Sequence, residues 1–175
     1  MSQQNMEVIC GIYESLSKGD VSAVLGRMHK DIEWREAENF IYADRNPYVG
    51  PQAVLEGVFM RLASEWADFT VIPEEWLDAG NHIVVLGSYT GRHKESGREV
   101  RAQFAHIWGV THGRVVRFQQ YTDTKQFADA IGYFGGISKI QKHAEFDAKR
   151  DQLGKELSAE MVRGAAPLTF SFWTT

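Results

Sequence analysis

Apolar residues recur along the first part of the chain with the period of a helix and then with the period of a strand. Between residues 4 and 17 they fall three or four positions apart, which predicts an amphipathic helix. A second, shorter stripe predicts a helix over residues 21–28. Residues 31–36 alternate instead, so we expect a strand that turns Trp34 and Glu36 to the same face.

The next segment combines a loop with a longer helix. Proline and glycine pairs between residues 37 and 50 indicate turns rather than regular structure. The aromatic side chains of this loop are expected to close over a cavity, and they are Phe40, Tyr42 and Tyr48. Pro51 suits the first turn of a helix, because its missing N–H costs nothing there, and the apolar stripe carries that helix to about Ala67.

Four alternating segments follow, over residues 69–79, 82–93, 98–110 and 114–122. Their connections are short enough for an antiparallel meander. Helices, a strand, a helix and then a run of strands are typical of an α+β fold with helices on one face of a curved sheet. We expect one domain over residues 1–135.

The last hairpin of this meander carries the candidate chemistry. Its alternation places His106 and Trp108 on one face together with Gln119, Tyr121 and Asp123, if the register allows. A carboxylate and an imidazole among aromatic rings indicate the floor of a pocket.

A C-terminal extension is predicted over residues 136–175. Residues 137–163 are charged and carry a helical stripe, and residues 168–173 alternate like a short strand. We expect this tail to dock on its own domain, with pairing across a dimer as the alternative.

Composition narrows the classes of function. The chain has 175 residues, 43% of them hydrophobic, and a net charge of -4 without a Lys/Arg cluster, which argues against nucleic acid as a partner. Cys10 is the only cysteine, so an intrachain disulfide is excluded. No secretory signal and no run of roughly 18 apolar residues is present, and we expect a cytoplasmic protein that does not span a membrane. The histidines lack ligand-like spacing and the common cofactor fingerprints are missing, so we expect neither a metal nor a cofactor.

Several local strings occur in the order found in one known superfamily. They are KGD at 18–20, IEW at 32–34, YVGPQAV at 48–54, VVLGSYTG at 84–91, FAHIW at 104–108 and RFQQYTDT at 117–124. Over residues 5–132 the chain resembles the SnoaL-like polyketide cyclases and ketosteroid-isomerase-related proteins of the nuclear transport factor 2-like superfamily.

The resemblance implies a fold, an assembly and a chemistry. The fold is a cone-shaped half-barrel, in which a strongly curved, mostly antiparallel sheet wraps around about three N-terminal helices and leaves an apolar cavity. Members commonly form homodimers through the convex face of the sheet. In the cyclases the acid near the end of the last strand is the general acid/base, and the matching residue here is Asp123. The isomerases take a proton from carbon with a carboxylate and hold the enolate in an oxyanion hole, and this sequence shows no clear counterpart to that full set.

Asp123 is the leading catalytic candidate on this view. A carboxylate among aromatic rings is desolvated, which raises its pKa toward neutrality and suits it to proton transfer. The alternative is structural, because residues 123–126 also fit a capping box with Asp123 as the N-cap of a helix.

His106 and Glu36 are the other catalytic candidates. His106 can assist proton transfer or polarise a carbonyl oxygen, and its alternative is a core histidine bonded to a polar neighbour. Glu36 can be a second acid on the opposite wall, and its alternative is a solvated residue at a strand end. The ligand-binding candidates are Trp34, Tyr42, Tyr48, Phe59, Phe104, Trp108, Gln119 and Tyr121.

The function expected from the sequence is cofactor-free proton transfer on a small apolar carbonyl compound, as in an isomerase, cyclase or dehydratase. Two alternatives stay open: a module that binds a metabolite without changing it, and a dimerisation domain with a filled core.

Overall fold

A computed structural model describes residues 2–133, which lie in one compact unit, Met1–Tyr133. The predicted C-terminal extension therefore lies outside the described residues. The helices are α1 Ser2–Ser17, α2 Val21–Leu25, α3 Pro51–Val54, α4 Met60–Glu65 and α5 Thr124–Ile131, and a π-helical turn, Leu55–Phe59, joins α3 to α4. Within this part of the chain no helix has the length and apolar composition needed to cross a membrane.

Six strands form one curved, open sheet, so the α+β class predicted from the sequence is confirmed. The strands are β1 Met28–Arg35, β2 Tyr48–Val49, β3 Trp66–Asp78, β4 His82–His93, β5 Glu99–Thr111 and β6 Arg114–Thr122. Their order across the sheet is β2-β1-β6-β5-β4-β3, and only β1 and β6 pair in parallel. The last four strands form the predicted antiparallel meander.

Two helix ends differ from the sequence prediction because strand pairing takes over. The second helix ends at Leu25 rather than Met28, since Met28 pairs with Val115 at the start of β1. The long helix ends at Glu65, and Trp66 opens β3 opposite His93 instead of continuing the helix.

Alternation in β6 is broken by one extra residue, and this decides which side chains face the core. Val115 pairs with Val110, but the next position along β5 pairs with Arg117, so Val116 forms a bulge. Beyond the bulge, Phe118 lies opposite Trp108 and Gln120 lies opposite His106. Because of the extra residue, the side chains that follow the bulge lie on the opposite face of the sheet from the one that simple alternation predicts.

The inner face of the sheet packs against α1, the α3–α4 segment and α5. The largest fully buried side chains are Trp108, Tyr42, Phe118, Phe127, Ile9, Ile12, Ile32 and Ile83. Within the α3–α4 segment, Gly57 allows the Tyr48 ring to approach closely, because a Cβ at position 57 would lie 2.0 Å from ring atom Cε1. The Tyr48 hydroxyl also donates to the Tyr42 carbonyl at 2.6 Å, so the ring cannot move aside freely.

We predict that Gly57→Ala lowers the free energy of unfolding by about 1–3 kcal/mol, because the added methyl overpacks a fixed ring. Gly11→Ala in α1 is the matched control, since its Cβ would meet only the end of the Arg27 side chain, at 2.6 Å from Nη2. That control should be neutral or stabilising by about 0.5–1 kcal/mol, the helical preference of alanine over glycine. Urea denaturation measures both, and equal stability of the two variants would contradict this packing.

Candidate functional site

A cavity of about 380 Å³ lies between the inner face of the sheet and the helices. Its walls are mostly apolar, and the rings that line it include Trp34, Phe40, Phe59, Trp66, Trp108 and Phe118. Polar residues also line it, and they are Ser17, Glu36, Thr70, Tyr89, His106 and Gln120. Small-molecule sites have this composition, with an apolar enclosure and a few convergent polar groups. The core is therefore not filled, in contrast to what the dimerisation-domain alternative expected.

Glu36 is buried in the cavity wall just after β1, with 3% of its surface exposed. Trp34 Nε1 donates to its Oε1 at 2.6 Å, whereas its Oε2 has no hydrogen-bond partner within residues 2–133. Asn46 fixes its backbone, accepting from the Glu36 amide at 3.0 Å and donating to the Glu36 carbonyl at 2.8 Å. Burial raises the pKa of Glu36 from 4.5 to about 7, although the Trp34 hydrogen bond acts in the opposite direction.

His106 lies at the centre of the polar wall, between two tyrosines. Its Nδ1 is 2.6 Å from the Tyr13 hydroxyl of α1, and its Nε2 bonds the Tyr89 hydroxyl of β4. The Phe104 ring stacks on the imidazole at 3.9 Å between centroids. Burial lowers the pKa of His106 from 6.5 to about 3, so the ring is neutral at physiological pH.

Two donors close the chain of hydrogen bonds that contains His106. Trp108 Nε1 donates to the Tyr13 oxygen at 3.2 Å, and Gln120 Nε2 donates to the Tyr89 oxygen at 3.0 Å. We call this Trp108–Tyr13–His106–Tyr89–Gln120 chain the polar relay. Its five side chains come from α1 and from three neighbouring strands.

Asp123 does not line the cavity, and its predicted position there is wrong. Its side chain is exposed at the N-cap of α5, where it accepts from the Lys125 amide at 3.2 Å and from Gln126 Nε2 at 3.1 Å. The bulge at Val116 is the reason, because it turns the face that ends in Asp123 away from His106. The structural alternative, a helix cap, is what the structure shows.

Two ligand-binding candidates, like Asp123, lie outside the cavity. Tyr121 is 55% exposed and Gln119 is half-buried, and both lie on the outer face, opposite Ala105 and Ile107. Their place in the predicted pocket floor is taken by Gln120 and Phe118.

The remaining ligand-binding candidates divide into two groups. Trp34, Phe59 and Trp108 line the cavity, and Phe104 packs on His106 behind it. Tyr42 and Tyr48 are buried but lie outside the lining, in a cluster that fixes the loop before α3. There the Tyr42 hydroxyl donates to Glu65 at 2.7 Å and accepts from Trp66 Nε1 at 2.9 Å.

Sequence reasoning missed Tyr13, Tyr89 and Gln120. Tyr13 belongs to the apolar stripe of the first helix, and tyrosine is common in such stripes, so nothing marked its hydroxyl. Gln120 had a usable signal, since a glutamine two residues after Phe118 on a buried strand face needs a buried partner. Within residues 2–133 no group of three or more His, Cys, Asp and Glu side chains is placed to hold a metal ion.

Comparison with known proteins identifies the family. The chain belongs to the SnoaL-like domain family, whose model matches residues 11–118, and it has the nuclear transport factor 2-like fold. An NTF2-like protein from Burkholderia thailandensis superposes with a TM-score of 0.70 at 29% identity, covering 73% of this chain and 96% of that one. Comparison with curated protein sequences gives no significant match.

More distant structures share the fold. TerC, co-crystallised with polyporic acid, is 23% identical, with a TM-score of 0.65 over 73% of this chain and 98% of its own. A hypothetical protein of ketosteroid isomerase-like fold from Catenulispora acidiphila, in complex with trimethylamine, is 14% identical, with a TM-score of 0.62 over 75% and 97%. Both comparisons support the same fold for this chain.

The raised pKa of Glu36 predicts that this carboxyl destabilises the fold as pH rises. The folded state holds the proton up to about pH 7 and the unfolded state only to 4.5, so stability falls across that window and is flat above it. Glu36→Gln should therefore match wild type near pH 4.5 and exceed it by up to about 3 kcal/mol at about pH 8.

The free energies of unfolding of wild type and Glu36→Gln must be compared with each other at each pH, because His106 changes stability with pH in the opposite direction. Its lowered pKa gives stability that is present above 6.5 and is lost as pH falls toward 3. Both proteins keep His106, so its contribution cancels. Urea denaturation measures the free energy of unfolding of both proteins. If the difference between them stayed the same from about pH 5 to pH 8, the burial of Glu36 would be contradicted.

Proposed function

We propose that the cavity binds a small, mostly apolar carbonyl compound and that Glu36 transfers a proton on it without a cofactor. The single observation that carries the proposal is the Glu36 carboxyl, which is buried in an apolar wall, has a pKa of about 7, and has no hydrogen-bond partner for Oε2 in the described part of the chain. A group with a pKa near the working pH is both an effective base and an effective acid. The family and fold support the same class of reaction.

The proposed reaction needs two features of the site. The Glu36 carboxylate removes a proton from the carbon next to the carbonyl, and the electron pair of that C–H bond moves to the carbonyl oxygen as an enolate. Glu36 then returns the proton to a carbon of the enolate, which yields an isomer. In an aldol-type cyclisation the enolate carbon instead bonds to a second carbonyl carbon of the same ligand, whose C=O electron pair moves to its oxygen, and Glu36 gives the proton to that alkoxide. The enolate oxygen needs hydrogen-bond donors, and we assign that role to the polar relay in the cavity wall.

Glu36 replaces Asp123 as the proposed proton carrier. Asp123 is exposed and already accepts two hydrogen bonds as a helix cap, so it has neither access to the cavity nor desolvation. Both ring nitrogens of His106 are bonded to tyrosines, so the imidazole acts on a ligand only through them.

Deuterium exchange tests the proposal without knowledge of the natural substrate. The protein is incubated in D₂O with acetophenone, 1-indanone and 2-cyclohexenone, and loss of the α-proton signal is followed by NMR. We expect wild type to accelerate exchange of at least one compound, with a rate that rises with pH to a plateau above about 7, where Glu36 is ionised. Glu36→Gln should reduce that rate about 100-fold or more.

Asp123→Asn is the matched control, because it also replaces one carboxylate by an amide but lies outside the cavity. It should keep the wild-type exchange rate. Full activity of Glu36→Gln, or loss of activity in Asp123→Asn alone, would contradict the assignment. Thermal stabilisation by these ligands without any exchange would favour the alternative of a non-catalytic binding module.

We further propose that the protein is a homodimer that associates through the outer face of the sheet. Leu77, Val84 and Ile107 lie side by side across β3, β4 and β5, and Leu86, Ala105 and Tyr121 form the next row. Contiguous apolar patches on a sheet face are typical of protein–protein contacts.

Light scattering in solution tests this assembly. Wild type should have twice the chain mass of 19.8 kDa, and Ile107→Glu should have the mass of one chain because a charge at the centre of the patch cannot be desolvated. Met60→Glu, at an exposed apolar residue of α4, is the control and should remain dimeric. A wild-type monomer would contradict the proposed dimer.

A further inference from the structure

The polar relay contains more hydrogens than hydrogen-bonded contacts between its members, and both of its ends have a fixed direction. At one end Trp108 Nε1 can only donate, so the Tyr13 oxygen accepts there. At the other end the Ala37 amide donates to Gln120 Oε1 at 3.2 Å, which leaves Gln120 Nε2 to donate to Tyr89. Each tyrosine oxygen therefore accepts one hydrogen bond from outside the central trio.

The central trio of Tyr13, His106 and Tyr89 has one hydrogen too many. Each tyrosine hydroxyl carries a hydrogen, and a neutral imidazole carries one more. Only two contacts join the three groups, and each contact uses one hydrogen. One hydroxyl hydrogen is consequently left over, and the tautomer of His106 decides which tyrosine keeps it.

Contact with the cavity decides between the two tautomers, because Tyr13 and Tyr89 are about equally buried but only Tyr89 lines the cavity. If Nδ1 carried the hydrogen, Tyr89 would donate to Nε2 and the Tyr13 hydrogen would be left over. Tyr13 is 5% exposed and lies outside the cavity lining, and its hydroxyl contacts only His106 and Trp108 within residues 2–133. An unpaired hydrogen there would cost about 1–3 kcal/mol.

The other tautomer places the free hydrogen where a ligand can use it. With the hydrogen on Nε2, Tyr13 donates to Nδ1, Nε2 donates to the Tyr89 oxygen, and the Tyr89 hydrogen is left over. Tyr89 lines the same cavity as Glu36, whose Oε2 has no hydrogen-bond partner within residues 2–133.

We propose that Tyr13 is a positioning residue that holds His106 with its hydrogen on Nε2, so that the Tyr89 hydroxyl is reserved for an oxygen of the ligand. This rests on the proposed function and defines its substrate class more closely. The ligand carries an oxygen that accepts from Tyr89, as a ketone, an enolate or a phenolate does, and beside it a carbon acid that faces Glu36. His106 orients the donor and does not itself contact the ligand.

The tautomer of His106 in the full chain tests the first part of the proposal. In a protein labelled with ¹⁵N and ¹³C, the ring nitrogens of His106 are assigned through bonds to its own backbone, and long-range ¹H–¹⁵N correlations identify the protonated one. We expect Nε2–H near pH 7.5. The Nδ1–H form would overturn the proposal, because Tyr89 would then donate to His106 and have no hydrogen to spare.

Tyr13→Phe tests the positioning role against simple loss of stability. Without the donor to Nδ1 the ring has no reason to prefer one tautomer, so we expect both forms in the variant. Tyr48→Phe is the matched control, since it also removes a buried hydroxyl but lies outside the polar relay, and it should leave His106 as Nε2–H. An unchanged, pure Nε2–H signal in Tyr13→Phe would overturn the role of Tyr13.

Tyr89→Phe tests the hydrogen bond to the ligand. With the ketone that wild type exchanges fastest, we expect the exchange rate constant at saturation to fall about 100-fold, the usual effect of removing one oxyanion donor. The rate constant of Tyr13→Phe should fall less, by about twofold for equally populated tautomers, because Tyr89 then keeps its hydrogen about half of the time. A full rate in Tyr89→Phe would overturn the proposal.

These outcomes separate the present inference from the proposed function. An Nδ1–H tautomer together with exchange that depends on Glu36 would overturn the inference and leave the proton carrier in place. An Nε2–H tautomer that becomes mixed in Tyr13→Phe, without exchange of any ketone by wild type, would contradict the proposed catalysis and support the relay.

Discussion

The hydrogen-bonded relay centred on His106 is the interaction on which the site depends. It crosses an apolar core from Tyr13 on the first helix to Gln120 on the last strand, and each group in it would be costly to bury unpaired. Removing one member leaves its neighbours without partners, so the relay fixes the helix against the sheet and gives the cavity a rigid floor. Within residues 2–133, the Oε2 atom of Glu36 is the one buried side-chain nitrogen or oxygen atom without a hydrogen-bond partner, and unpaired buried groups of this kind often mark function.

Most of the fold could be predicted from the sequence because its signals are local. Alternation, helical stripes and turn residues lie within a few positions of one another, and they gave the order of the helices and the antiparallel meander. The bulge at Val116 could not be read in this way, since an apolar residue is equally at home on either side of it. That single residue moved Gln120 into the core and left Asp123 at the surface as a helix cap.

The candidate site could be predicted only where the residues that meet belong to one strand or helix. Trp34 and Glu36 share a strand face by simple alternation, and the structure brings them together in a hydrogen bond. The contacts of His106 are different in kind, because Tyr13 is 93 positions away in the chain and is placed by the packing of a helix on the sheet. Long-range contacts of polar groups that resemble ordinary core residues leave no local pattern. We therefore propose the chemistry at the end of the first strand, whereas the family resemblance implied the end of the last.

The proposed role of Glu36 requires that burial gives its carboxyl a proton affinity suited to chemistry at neutral pH. A ¹³C NMR titration of the Glu36 side-chain carboxyl in the full chain measures this affinity, with the resonance assigned by its disappearance in Glu36→Gln. We expect a midpoint of about 7. A midpoint near 4.5, the ordinary value for a glutamate, would show a solvated carboxylate and would contradict the proposed role.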